Sequence, residues 1–220
     1  MSVSEDRTVQ PSATAPAPPT GIADPAPLGL AAFAATTFLL SAANAGWMTK
    51  ATTLAFLGYA FAYGGLAQFL AGMWEFRNRN VFGAAAFGSY GAFWMGLGLW
   101  VLLVVNPALA AAKTPLAAAA AGLALTHDKG WILLAFAIFN TYMLILSTQI
   151  NMAVFLVFLT LELTEIILLI GNFANNSGTI KFGGYVGLVT AVVAWYTSAA
   201  LVSRGMGGRL KFPVGGALIS

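Results

Sequence analysis

Asp24-Pro25-Ala26-Pro27-Leu28-Gly29-Leu30 is the stretch where a polar tail gives way to a membrane span. Neither proline fits inside a regular helix, since each lacks an amide donor, and Pro27 also pushes Ala26 away from helical dihedrals. The backbone is therefore expected as an extended arm ending at a helix start, with Pro27 in the first helical position and Ala26 or Asp24 just upstream of exposed amides that carry partial positive charge. Those amides attract a small anion; the same Pro-x-Pro pattern also serves as plain punctuation before a helix.

Upstream, residues 1–23 are rich in Ser, Thr, Ala and Pro and lack both a basic n-region and an apolar h-region. They are expected as a disordered tail with no signal peptide. Downstream, apolar runs dominate. The 220 residues are 59% hydrophobic and 8% charged, far from the roughly one-quarter charged content of soluble domains, so the chain is an integral membrane protein. With no cysteine and the single His127, thiolate and histidine-clustered metal sites are excluded. A net charge of +3 spread over loops excludes a basic tract for nucleic acid.

A hydrocarbon core of about 30 Å takes about 20 helical residues. Six runs fit: 28–46, 54–74, 81–104, 131–146, 152–172 and 183–202. The fourth and fifth are separated by Ser147-Thr148-Gln149-Ile150-Asn151, a tight turn, while 106–129 is expected as one long loop with a short surface helix at 117–121. The expected fold is thus an all-α membrane protein of six transmembrane helices bundled around a narrow path. Six spans put both termini on one side, and that side carries Arg7, Arg77, Arg79, Arg204, Arg209 and Lys211 against Lys50, Lys113, Lys129 and Lys181 opposite. The excess of positive charge predicts both termini in the cytoplasm, with residues 204–220 as a C-terminal tail.

Polar side chains inside the spans point to function, because an amide or ionisable group in hydrocarbon needs a partner or a wet path. Thr36, Thr37, Ser41 and Asn44 lie on the first span, Tyr59, Tyr63 and Gln68 on the second, Ser89 and Tyr90 on the third. They are donors of little fixed charge, suited to a polar, weakly anionic solute. Thr and Ser equally bond back to their own helix, whereas Gln68 and Asn44 favour an interhelical or path-lining role. Gly65 and Gly72 on the second span, Gly88, Ala92 and Gly96 on the third, and Gly183, Gly187 and Ala191 on the sixth predict close helix contacts.

The 24–30 arm, Tyr63-Gly64-Gly65-Leu66-Ala67-Gln68-Phe69-Leu70-Ala71-Gly72, Glu75, Asn80-Val81-Phe82-Gly83, Phe87-Gly88-Ser89-Tyr90-Gly91-Ala92-Phe93-Trp94 and Leu169-Ile170-Gly171-Asn172 together resemble the acetate uptake transporter family, the succinate/acetate permeases. The resemblance runs from Asp24 to about Ala194. It implies a membrane transport domain over 24–203, a multi-pass protein of the cell membrane and a homohexamer in which each protomer has its own path for acetate, succinate or related small carboxylates. It further implies a constriction of Phe33, Tyr90 and Leu161. Asp24, Pro25, Pro27, Leu28 and Gly29 would stand at the substrate entrance, Gln68 and Asn172 on the lining, and Ala194 where tolerance for larger dicarboxylates is set. Thr36, Thr37, Asn44 and Ser89 join the expected path from their own chemistry.

The family pattern is departed from in two places. Asp24 stands where the family usually has Asn, and an aspartate there is expected to cap the helix. Glu162 and Glu165 lie in the fifth span; at about 100° per residue Glu165 falls roughly 40° from Leu161 and Glu162 about 100°. A carboxyl buried beside a carboxylate path is a candidate to exchange a proton with it. Glu165 is the nearer candidate and Glu162 the second; a neutral or hydrogen-bonded role at a helix interface is the competing reading. A carboxylic acid with a pKa near 4.3 is ionised at neutral pH, so either a proton accompanies the anion or donors replace its water shell. Proton-linked symport and an anion channel both satisfy this. A channel for a neutral solute such as urea would use a similar bundle. No cofactor or ATP-binding motif is present and no enzyme is expected, His127, Asp128, Glu162 and Glu165 being the only residues available for acid-base work.

Overall fold

The computed structural model describes residues 21–49 and 55–219, so most of the expected N-terminal tail, Lys50 and the start of the second span at Leu54 lie outside the described residues. Everything regular in it is helical: α1 Ala26–Asn44, α2 Phe56–Phe61, α3 Gln68–Arg77, α4 Val81–Trp100, α5 Asn106–Ala111, α6 Pro115–Ser147, α7 Met152–Phe173 and α8 Ser177–Gly205. A π-helical stretch Ala62–Ala67 joins α2 to α3, and another, Val101–Val105, joins α4 to α5. Among the described residues five helices are long and apolar enough to cross a membrane, and α2–π–α3 supplies a further continuous rod. The chain is a multi-pass membrane protein.

The expectation of a long loop over 106–129 is corrected. α4 continues through the π stretch and α5 to Ala111, and α6 starts at Pro115, leaving a connection of three residues. The expected fourth span, 131–146, is thus the second half of a helix of 33 residues, roughly 50 Å at 1.5 Å per residue. The 117–121 alanines extend that helix because alanine loses nothing in helical form, and Thr114 caps it by accepting from the Ala117 amide at 3.1 Å. Pro107, which cannot donate to the carbonyl four residues back, follows directly on the second π stretch, where the widened turn accommodates that loss. The helix before it is therefore diverted without being ended.

Caps fix the remaining boundaries. Asn80 accepts from Gly83, Asn151 from Val154 and Asn176 from Thr179, each at 2.9–3.0 Å. α1 starts one residue before the expected position, at Ala26. Asp24 explains this: its Oδ1 accepts from the Ala26 amide at 2.9 Å. The sixth span is also longer than expected, from Ser177 to Gly205, and the chain beyond it folds back: the Val214 carbonyl accepts from the Ala153 amide at 2.9 Å, with Val214 buried.

Glycines set the helix spacing. A side chain at Gly72 would strike the Gly88 backbone, and one at Gly187 would strike Ser41 Oγ, so α3 crosses α4 and α8 crosses α1 with backbones near contact. A methyl at Gly184 would meet the Ala45 amide and the Ser41 and Asn44 backbone, none of which can swing aside. Gly184→Ala is therefore expected to lower stability by about 1–3 kcal/mol. Gly96→Ala, with nothing within 4 Å, is the matched control. Thermal denaturation of the two variants in detergent checks it; equal melting temperatures would refute the close α1–α8 crossing.

Candidate functional site

α1, α4 and α7 all begin at the end of the bundle that carries Asp24, the 78–80 turn and the 148–151 turn. A cavity of about 450 Å³ enters there, with Asp24, Asn78, Arg79, Asn80 and Asn151 supplying its polar rim. Phe33, Tyr90 and Leu161 lie seven to nine residues into their helices, hence at a similar depth of roughly 10–14 Å. All three line this cavity and belong to one buried cluster, with Phe33 and Tyr90 edge to face at a centroid distance of 5.7 Å. Ala194, fully buried, packs in the same cluster.

A second cavity of about 320 Å³ is lined by Asn44, Phe93, Thr126, Lys129 and Leu168, toward the opposite ends of the same helices. Phe93 stands between the two: it lines the second cavity and packs edge-on against Tyr90 at 6.2 Å and tilted against Phe136 at 4.5 Å. The plug between the cavities is therefore aromatic on both faces.

Behind the plug lies a polar network. The Tyr90 hydroxyl is 3.0 Å from Asn140 Oδ1 and 3.2 Å from Glu165 Oε1. Asn140 donates through Nδ2 to Glu162 Oε2 at 2.6 Å and to the Phe158 carbonyl at 3.0 Å. Thr141 Oγ1 lies 2.7 Å from Glu162 Oε1 and 2.8 Å from the Ala137 carbonyl. The two glutamates thus differ in setting: both oxygens of Glu162 are engaged, while Glu165 Oε2 is buried without a partner among the described residues. Tyr90 has one hydroxyl proton facing two acceptors. If that proton goes to Asn140, the contact with Glu165 requires the carboxyl to donate; if Glu165 is ionised, it competes with Asn140 for the phenol. The protonation of Glu165 and the anchoring of Tyr90 are therefore one equilibrium.

Other expected path residues lie apart from both cavities. Leu28 is half exposed on the outer surface, and the Pro27 carbonyl accepts from Ser198 Oγ at 2.7 Å. Pro25 precedes the helix without lining either cavity, and Gly29 is closed over by the Phe87 ring. Thr36 bonds back to the Ala32 carbonyl at 3.0 Å, and Thr37 is buried in the α1 core. Ser89 reaches neither cavity, and Asn172, fully buried, donates to the Leu168 carbonyl at 2.7 Å. Thr36 Oγ1 and Asn172 Nδ2 thus serve their own helices, while Thr37 Oγ1 and Asn172 Oδ1 are buried without a partner among the described residues. Gln68 does line the first cavity, directly after the π stretch, and its Oε1 has no partner among the described residues.

Sequence reasoning missed Asn140 and Thr141. An amide in mid-span is itself the signal that would have found Asn140, since hydrocarbon leaves it no solvent partner. Arg79 and Lys129 were read only as topology charges, although each lines a cavity.

The sequence profile of the GPR1/FUN34/yaaH family matches residues 6–213. Acetate permease A of Emericella nidulans is 38% identical over 199 residues, covering 87% of this chain and 65% of its own length. The chain thus spans just under two thirds of that fungal relative. The succinate-acetate/proton symporter SatP of Escherichia coli is 33% identical over 196 residues, covering 89% of this chain and 97% of SatP. The solved structure of the bacterial acetate channel SatP superposes with a TM-score of 0.76 at 32% identity, covering 89% of this chain and all of the other.

Proposed function

The chain belongs to the GPR1/FUN34/yaaH family, and from that membership and its paired cavities we propose that it carries acetate and related small carboxylates across the cell membrane. The observation that carries this reading is the meeting of Phe33, Tyr90 and Leu161 at the floor of one cavity, with a second cavity beyond Phe93. The anion crosses an apolar neck too narrow for large solutes and, on the side of the first cavity, exchanges its water shell with Gln68 and passes the Asp24 and Asn80 caps. Each protomer holds its own path, and six protomers form the assembly. Both termini lie in the cytoplasm, with the first cavity opening on that side.

The contact of Tyr90 with Glu165 favours a proton-linked form over free anion conduction. Glu165 is the proton-exchanging group; Glu162, saturated by Asn140 and Thr141, fixes the frame. The test is labelled acetate flux in proteoliposomes with an imposed pH gradient or membrane potential. Acetate uptake driven by an inward proton gradient, with no urea uptake, is the expected result. Flux that follows the potential alone would leave an anion channel; urea flux without acetate flux would remove the carboxylate reading altogether. Glu165→Gln is expected to flatten the pH dependence of uptake, and an unchanged profile removes that residue from the mechanism.

A further inference from the structure

We propose that Lys129 forms an anion-docking site in the second cavity, where its ammonium, with the Asn44 amide, holds the carboxylate of the transported acid; this rests on the carboxylate reading above. The cavity walls are otherwise apolar, formed by residues such as Phe56, Leu97, Val101 and Leu168. Of the three polar residues lining it, Thr126 spends its hydroxyl proton on the Gly122 carbonyl at 2.8 Å. That leaves the ammonium and the amide as donors, with the indole of Trp100 also on the wall. Among the described residues no acidic side chain lines the cavity and Lys129 has no salt-bridge partner. Asp128, its neighbour in sequence, faces outward with a side chain 65% exposed and pairs with His127 at 3.4 Å.

A cation in a largely apolar chamber with no protein counter-charge attracts an external anion, and the charge-assisted hydrogen bonds it forms are stronger there than in water. The chamber's size fits. At about 320 Å³ it holds about ten water volumes of about 30 Å³ each, enough for a two- to four-carbon acid with part of its water shell. Its position also fits. Lys129 lies seven residues before Phe136 on α6, roughly 10 Å along the helix from the aromatic plug. The hydrocarbon end of the acid faces the plug while its carboxylate stays at the lysine. The site therefore loads or receives substrate at the end of the path opposite Asp24.

The test is acetate transport by the full chain in phosphatidylcholine vesicles, measured in both directions. Lys129→Gln is expected to raise the half-saturating acetate concentration about tenfold in one direction, while Lys129→Arg stays within about twofold of the unchanged protein. Unchanged half-saturation in both directions for Lys129→Gln overturns the site while leaving the carboxylate reading intact. Absence of acetate transport by the unsubstituted protein instead sinks the reading beneath it. An effect of Lys129→Gln confined to vesicles containing anionic lipid would assign the ammonium to a lipid headgroup, also overturning the site. Should Lys129→Gln fail to fold, acylation of Lys129 in the unsubstituted protein, read by mass spectrometry, decides the matter. Acetate is expected to slow the modification and an equal concentration of urea to leave it unchanged; equal rates with and without acetate overturn the proposal.

Discussion

Replacing Asn140 by leucine is expected to abolish acetate flux and to cost about 2–4 kcal/mol of stability. Leucine keeps the side chain's branching at Cγ while adding some bulk at a fully buried position, and the Tyr90 hydroxyl, Glu162 Oε2 and the Phe158 carbonyl each lose a partner. Interhelical hydrogen bonds in membranes are worth about 0.6 kcal/mol on average and up to about 1.7. Three together, one of them to a carboxyl group, reach the stated range. The double variant Asn140→Leu with Glu162→Leu separates the two effects. Removing both polar partners relieves the unpaired carboxyl and recovers much of the stability, because matched deletion is far cheaper than orphaning one group. Flux is not expected to return, since Tyr90 is left with Glu165 alone as its acceptor, which ties the phenol to the proton-exchanging carboxyl. Denaturation and proteoliposome uptake on the two variants check this; an Asn140→Leu protein that transports normally would reduce the network to incidental packing.

Leu161→Ala is expected to raise the flux of a four-carbon dicarboxylate relative to acetate by about tenfold, a barrier change of about 1.4 kcal/mol. Leu161 sits at the floor of the first cavity beside Phe33 and Tyr90, so its removal opens the neck without creating a sealed void. For the same reason the stability loss should fall near the low end of the 2–5 kcal/mol typical of leucine truncation in a core. Competitive uptake of labelled succinate and acetate reads the ratio. An unchanged ratio would move the narrowest point to Phe93 and Phe136, whose rings pack at 4.5 Å.

Much of this molecule was legible in order of sequence because the bilayer imposes one-dimensional rules. Apolar length gave α1, α4, α7 and α8, and the 147–151 polar cluster gave the α6–α7 turn, because a helix leaving hydrocarbon needs caps and Asn151 is one. The segment 106–129 departs from the expected loop because its alanines and leucines favour helix, and hydropathy cannot separate a protruding helix from a loop.

The side-chain network resisted the same reading. Helical angles brought Glu165 to the Leu161 side of α7, yet they carry no information on which residue of α6 lies opposite. That Asn140 meets both Tyr90 and Glu162 depends on the rotation and depth of three helices, and local sequence encodes neither.

From sequence alone came the membrane class and the helical spans, which follow from residue type and spacing, while the trio Phe33, Tyr90 and Leu161 came as what the family resemblance implies. Only the tertiary structure decided that Thr36, Asn172 and Gly29 are spent on helix packing, that Glu162 is saturated and Glu165 is not, and that Lys129 faces a cavity. The reason is physical: hydrocarbon fixes where a helix must run, whereas which polar groups find each other inside the bundle depends on close packing between segments distant in the chain.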